Sequence, residues 1–303
     1  MKRLALFGFM IGALLANSSP AHADDAHAEE VIKQARAAVG GDDQLKKIQG
    51  LNINGQYRRV FGERQLGGDR EISIELPNKY YVEDSNPGGL STALINYRAL
   101  NGEHAWNGQS GGGGGMVFRM TGPGGAQATP EQMEAALRRM LQIEMSRYLL
   151  AITLAGPESL ALQYAYAGES DVDDAKADVV DVTGPDKFAI RLFFDKSSHL
   201  PLLISYRGQK PRIVTMTKMA GGAQMKPDDV KKARDDAEKK MMSEPSQPEE
   251  VDFYIRLTDH KKVGGLLLPF KFTFLTGEEV SEEFEVSKYQ INPQFKADRF
   301  EKH

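Results

Sequence analysis

The sequence predicts a mainly β, α+β fold: an open antiparallel half-barrel of strands covered by helices. Three observations carry that expectation. Apolar and polar residues alternate with a period of two in segments spread along the chain. Turn residues separate those segments at strand-length intervals. One long helical pattern becomes apolar on every side, which requires it to be buried.

The chain opens with Lys2 and Arg3, then an uncharged apolar stretch from Leu4 to Leu15, then Ala21-His22-Ala23. This is the pattern of a cleaved signal peptide, with cleavage expected before Asp24. The apolar stretch is shorter than the roughly 20 residues a spanning helix needs. The expected product is one domain over residues 24–303, located in the periplasm. Cysteine is absent from the 303 residues, so the reading holds no disulfide, no thiolate catalysis and no lipid anchor on cysteine. The formal charge of −4 is spread over mixed signs, not the concentrated basic face that nucleic acid requires.

A first helix is expected from Ala28, Val31, Ile32, Ala35 and Val39, ended by Gly40-Gly41. Leu45 and Ile48 belong to a short turn facing the same interior. The period then changes. Leu51, Ile53 and Tyr57 face one way, and Asn52, Asn54, Gln56 and Arg58 the other. Ile72, Ile74 and Leu76 repeat the pattern, as do Leu160, Leu162, Tyr164 and Tyr166, then Phe270, Phe272 and Phe274, then Val280, Phe284 and Val286. One buried and one wet face produce such alternation, whereas a parallel sheet between helices gives continuous apolar runs. Pro77-Asn78, Asn86-Pro87-Gly88-Gly89, Asn101-Gly102, Gly184-Pro185-Asp186 and Gly264-Gly265 supply the turns.

Thr129-Pro130-Glu131 starts a helix expected to reach about Ala155, with threonine as cap and proline in the first turn. Its first half is amphipathic, and Tyr148 to Leu154 is apolar all round. Asn107 to Ala128, glycine-dominated, is expected to be a flexible loop. Met225 to Glu250, rich in lysine, aspartate and glutamate, is expected to be a solvated helix and linker inserted between two strands.

Chemical motifs are weak. Gly108-Gln109-Ser110-Gly111-Gly112 matches the G-x-S-x-G elbow in form, but five glycines follow where a helix should begin. His27, His104, His199, His260 and His303 are not paired at helical metal spacing. The acidic turn of Asp171, Asp173, Asp174 and Asp178 offers Lys176 and Val182 where a calcium loop needs glycine and glutamate. The glycine run is not followed by the G-K-[S/T] of a phosphate loop. The expectation is no catalytic residue, no metal and no cofactor.

Several segments together resemble the LolA-like superfamily of periplasmic lipoprotein carriers, including proteins described as outer-membrane lipoprotein-sorting. They are Ala38-Val39-Gly40-Gly41 with Leu45, Ile48, Leu51, Gly55 and Arg58; Asn101-Gly102 with Trp106; and Phe193-Phe194-Asp195-Lys196 with Leu200-Pro201-Leu202. Val263 to Pro269 and the ending Ile291-Asn292-Pro293 through Phe300 complete the set. The resemblance implies a half-barrel whose concave apolar face holds the acyl chain of a lipid or lipoprotein. The charged insertion and the glycine-rich loop depart from the family pattern. On this reading Met133, Met140, Leu150, Phe193, Tyr206, Phe272, Phe274 and Phe284 point inward as ligand-binding candidates. They line either a cavity with a methionine-bearing cover or an ordinary filled core. The expected protein is a monomeric, non-enzymatic carrier that touches membranes transiently. The alternative is an envelope accessory module that docks to a protein partner through the charged insertion.

Overall fold

A computed structural model describes residues 22–62, 64–86, 94–110, 129–157, 160–210 and 249–302 of the chain. The expectations for the signal segment before His22, for residues 111–128 and for residues 225–248 of the charged insertion lie outside these.

Two helices, α1 (His22–Val39) and α2 (Asp42–Leu45), lead into five strands: β1 (Gly50–Phe61), β2 (Arg64–Glu75), β3 (Lys79–Asn86), β4 (Leu94–Asn101) and β5 (His104–Ser110). The long helix α3 (Pro130–Thr153) follows, then β6 (Gln163–Val172), β7 (Ala175–Thr183), β8 (Ala189–Asp195), β9 (Pro201–Gln209), β10 (Glu250–Val263), β11 (Leu266–Thr276) and β12 (Glu279–Ile291). These form one 12-stranded sheet in the order β5-β4-β3-β2-β1-β12-β11-β10-β9-β8-β7-β6. Neighbouring strands are antiparallel. The expected open antiparallel architecture is therefore present. Because β5 and β6 are the two edges, α3 is the connection that crosses between them.

The first and last strands meet mid-sheet. β1 pairs with β12 from Leu51↔Ile291 to Arg59↔Glu282. Asn292, just past β12, fixes this junction: its Oδ1 accepts from the Gln49 amide at 2.7 Å and its Nδ2 donates to the Lys47 carbonyl at 2.8 Å. That is the physical role of the Ile291-Asn292-Pro293 motif. The β10–β11 turn uses Gly264 at φ 56° and Gly265 at φ 88°, a conformation that glycine adopts without steric cost.

Apolar burial selects the concave face. On α1, Ala28, Val31, Ala35 and Val39 enter the core, at the spacing of one helical face. At the start of α3, the Thr129 side chain accepts from the Gln132 amide and the Gln132 side chain accepts from the Thr129 amide, a capping box that satisfies two otherwise orphaned donors. Burial on α3 begins at Leu141, and Tyr148 to Leu154 are buried without interruption. This matches the all-round apolar pattern.

Three local expectations change. Asn107–Ser110 belong to β5 rather than to a loop, paired with Arg98–Ile95 of β4. Leu160 and Leu162 precede the strand they were expected to start, since β6 begins at Gln163. Val280 is 41% exposed, because it lies at the tip of the β11–β12 hairpin beyond a register shift at Phe274/Leu275.

Candidate functional site

The concave face is organised in rows that cross the strands. Leu257, Phe272, Phe284 and Tyr57 lie side by side on β10, β11, β12 and β1. All four are buried. Phe272 also touches the cover, with its ring centroid 5.6 Å from Tyr148 of α3 and 6.0 Å from Phe284. Leu150 of α3 is fully buried in the same cluster. Nearer the rim, Tyr206 and Phe253 pair across β9 and β10 with rings stacked at 5.2 Å. Phe274 stands between Ile255 and Glu282. Tyr206, Phe253 and Phe274 are only half-buried.

The expected ligand residues therefore separate. Leu150, Phe272 and Phe284 are inside, and Tyr206 and Phe274 pack against the core from its margin. Met133 and Met140 do not point inward: each is 45% exposed. The first turns of α3 meet the β4–β5 hairpin through Glu134, which contacts His104 and the Ala105 amide, and Arg138, which contacts Glu103, while the two methionines lie on another side of the helix. Phe193 lies on the convex face. It pairs with Val179 and Leu203, while its neighbours Leu192 and Phe194 turn into the core. Ser110 of the elbow-like motif ends β5, its backbone paired with Ile95.

Sequence reading missed a cluster of charges on this apolar face. Arg70, 3% exposed, grips Asp84 with two hydrogen bonds, Nε to Oδ1 at 2.6 Å and Nη2 to Oδ2 at 3.0 Å. It also donates to both oxygens of Glu282, one of them at 3.3 Å. Arg59 donates to Glu282 from Nε at 2.6 Å. Arg98 lies 3.8 Å from Asp84 and donates to Glu144 of α3 at 2.6 and 3.2 Å. The Tyr80 hydroxyl donates to the same Glu144 at 3.1 Å. The Arg70 guanidinium also sits 4.7 Å from the Tyr57 ring centroid. Gly55 leaves room for this packing: a side-chain carbon there would collide with the Glu285 carbonyl and crowd the Phe284 ring.

Burial pulls the Asp84 carboxyl upward, yet the Arg70 hydrogen bonds and the charges of Arg70, Arg98 and Arg59 outweigh it and hold it below the ordinary value. For Glu144, burial likewise opposes and the Arg98 charge and hydrogen bonds prevail, so it too is lowered. A carboxylate depressed on folding stabilises the native state above its unfolded pKa and ceases to do so as pH falls through the folded value. The contribution of these two carboxylates to the urea midpoint should therefore be flat above about pH 4 and drop steeply below it. The Asp84→Asn variant should start lower and drop less. An equal slope in parent and variant would show that Asp84 is not one of the linked groups.

Two depressions lie instead on the convex side. One, about 340 Å³, is lined by residues including Asn54, Gln56, Asp69 and Glu83. The other, about 510 Å³, lies beside the C-terminal residues Phe295 and Arg299. Under α3, Leu141, Met145, Tyr148, Leu149 and Ile152 join the sheet's buried apolar residues in one cluster.

No protein-family model matches the chain, and no curated protein matches it. Among solved structures, it is similar to a LolA superfamily protein from Nitrosomonas europaea, with 10% identity over 91% of this chain and 97% of the other and a TM-score of 0.45. It is similar to a DUF1329 family protein from Desulfovibrio piger, with 10% identity over 90% and 97% and a TM-score of 0.45. It is also similar to a domain from Vibrio parahaemolyticus described as an outer membrane lipoprotein-sorting protein, with 9% identity over 90% and 97% and a TM-score of 0.45.

Proposed function

We propose that the chain is a non-enzymatic periplasmic carrier that holds the acyl chain of a lipid or lipoprotein on the concave face of the sheet. One observation carries this reading. The deep apolar row is covered by the apolar half of a single helix, and polar contacts pin that helix at particular points: Glu144 to Arg98 and Tyr80, and Arg36 Nη1 to the carbonyls of Thr153 and Leu154 at 3.1 and 3.4 Å. Exchanging an apolar helix face for an acyl chain keeps the same surface out of water, so the hydrophobic term nearly cancels. The exchange of helix for acyl chain is then governed by the polar pins. A ligand that binds only the displaced state shifts the population toward it. The half-buried Tyr206, Phe253 and Phe274 mark where a chain would first find apolar surface.

Native mass spectrometry of the purified protein, with lipid analysis of an organic extract, tests the reading. A stoichiometric acyl species, or uptake of tetradecanoate by the ligand-free protein, supports it. A clean mass that stays unchanged after incubation with envelope lipids removes it and leaves the partner-docking module. The pins make a separate prediction. Glu144→Gln should loosen Leu149–Thr153 by about 1.5–3 kcal/mol of local stability, read as faster amide exchange in that stretch. Unaltered exchange there would mean that Glu144 does not hold the helix.

A further inference from the structure

Arg147 sits one helical turn after Glu144 on α3 and differs from the other arginines of the concave face. Arg59, Arg70 and Arg98 each have a carboxylate partner. The Arg147 Nε is buried and has no hydrogen-bond partner among the described residues, and none of their carboxylates lies within ion-pairing distance of its guanidinium. What it has is an aromatic face: the guanidinium carbon is 3.3 Å from the Tyr206 ring centroid. Tyr206 is stacked in turn on Phe253. Four arginines here, Arg59, Arg70, Arg98 and Arg147, face three carboxylates, Asp84, Glu144 and Glu282, which leaves one positive charge in excess.

An unpaired buried donor forfeits the hydrogen bond it made with water, and a partly desolvated cation is unfavourable unless an anion meets it. Burial accordingly pushes the Arg147 guanidinium below its ordinary value, with Tyr206 and Glu144 opposing. A ring beneath and open donors at the edge leave the planar fork free to take two oxygens of one anion. That fork stands at the margin where the half-buried aromatics begin, so a chain lying on Tyr206 and Phe253 would place its polar end beside it.

We propose that Arg147 is the headgroup site of the carrier and that the ligand is an acyl chain bearing an anionic, phosphate-type headgroup. This rests on the carrier reading above and adds the charge of the cargo.

The test uses two probes with one alkyl chain, dodecyl phosphate and dodecyl phosphocholine, below their micelle concentrations at neutral pH. The full chain should bind the phosphate more tightly by about tenfold, the effect of one charge-assisted pair. Arg147→Met keeps apolar contact with Tyr206, should melt no lower than the parent, and should lose the preference while retaining phosphocholine binding. Arg147→Lys keeps a point charge without the fork and should fall between the two. Equal binding of both probes by the parent, or a preference that survives in Arg147→Met, overturns the headgroup assignment and leaves the carrier reading standing. Failure of both probes to bind overturns both.

Discussion

Replacing Arg70 with methionine is expected to remove about 3–5 kcal/mol of folding stability, the cost of leaving buried charges without their partner. Arg70 holds Asp84 and Glu282, which are 4% and 8% exposed. With the guanidinium gone, Asp84 keeps only distant arginines, at 3.7 Å for Arg59 and 3.8 Å for Arg98. The urea midpoint should fall with an unchanged denaturant slope. The Arg70→Met, Asp84→Asn, Glu282→Gln triple variant should recover much of the loss, because a neutral site has no orphaned charge to bury. A single-variant loss below about 1 kcal/mol, the range of exposed pairs, would show that water reaches the cluster.

Phe272→Ala should cost a comparable about 3–5 kcal/mol, from lost transfer energy and the space left behind. Phe272 is 1% exposed and bridges Phe284 to Tyr148 of the covering helix. The carrier reading adds a second expectation. A void under α3 is the volume an acyl chain would occupy, so saturating tetradecanoate should raise the melting temperature of the variant by more than it raises that of the parent. A variant that is destabilised as expected yet indifferent to the ligand would keep Phe272 as ordinary core and move the acyl site away from this row.

Much of this arrangement was legible from local chemistry. Thr129-Pro130 announced the start of α3, Gly264-Gly265 the β10–β11 turn, and the Leu51-Ile53-Tyr57 alternation the inner face of β1. The charged cluster was legible too, by parity. Arg70 stands two before Ile72, Asp84 two after Val82, Arg98 two before Leu100, Glu282 two before Phe284, and Arg59 two after Tyr57. Each continues the apolar side of its strand. Reading polar residues as outward conceals them, because alternation fixes direction whereas burial depends on what lies opposite. The same gap explains Met133 and Met140: amphipathicity names a face a helix could bury, but here the β4–β5 hairpin meets the side carrying Glu134 and Arg138. Phe193 failed for another reason. In Leu192-Phe193-Phe194 one parity must point outward, and Phe193 shares its parity with Arg191 and Asp195 whereas Leu192 and Phe194 share theirs with the buried Ile190.

The seam between β1 and β12 dictates an order of assembly. The first five strands can zip together as they emerge, and β6 onward can do the same, but the halves join only when residues 282–291 are available to pair with residues 51–59. Contacts separated by more than 200 residues form late, since a long loop must close before they return any energy. Until the seam closes, β1 and β12 are bare edges, open to pairing with other chains. Arg70 and Asp84 meanwhile lack the Glu282 that completes their cluster. A chain threaded N-terminus first through a membrane would thus stay incomplete until its last strand had crossed, and the ion cluster astride the seam would form at that moment.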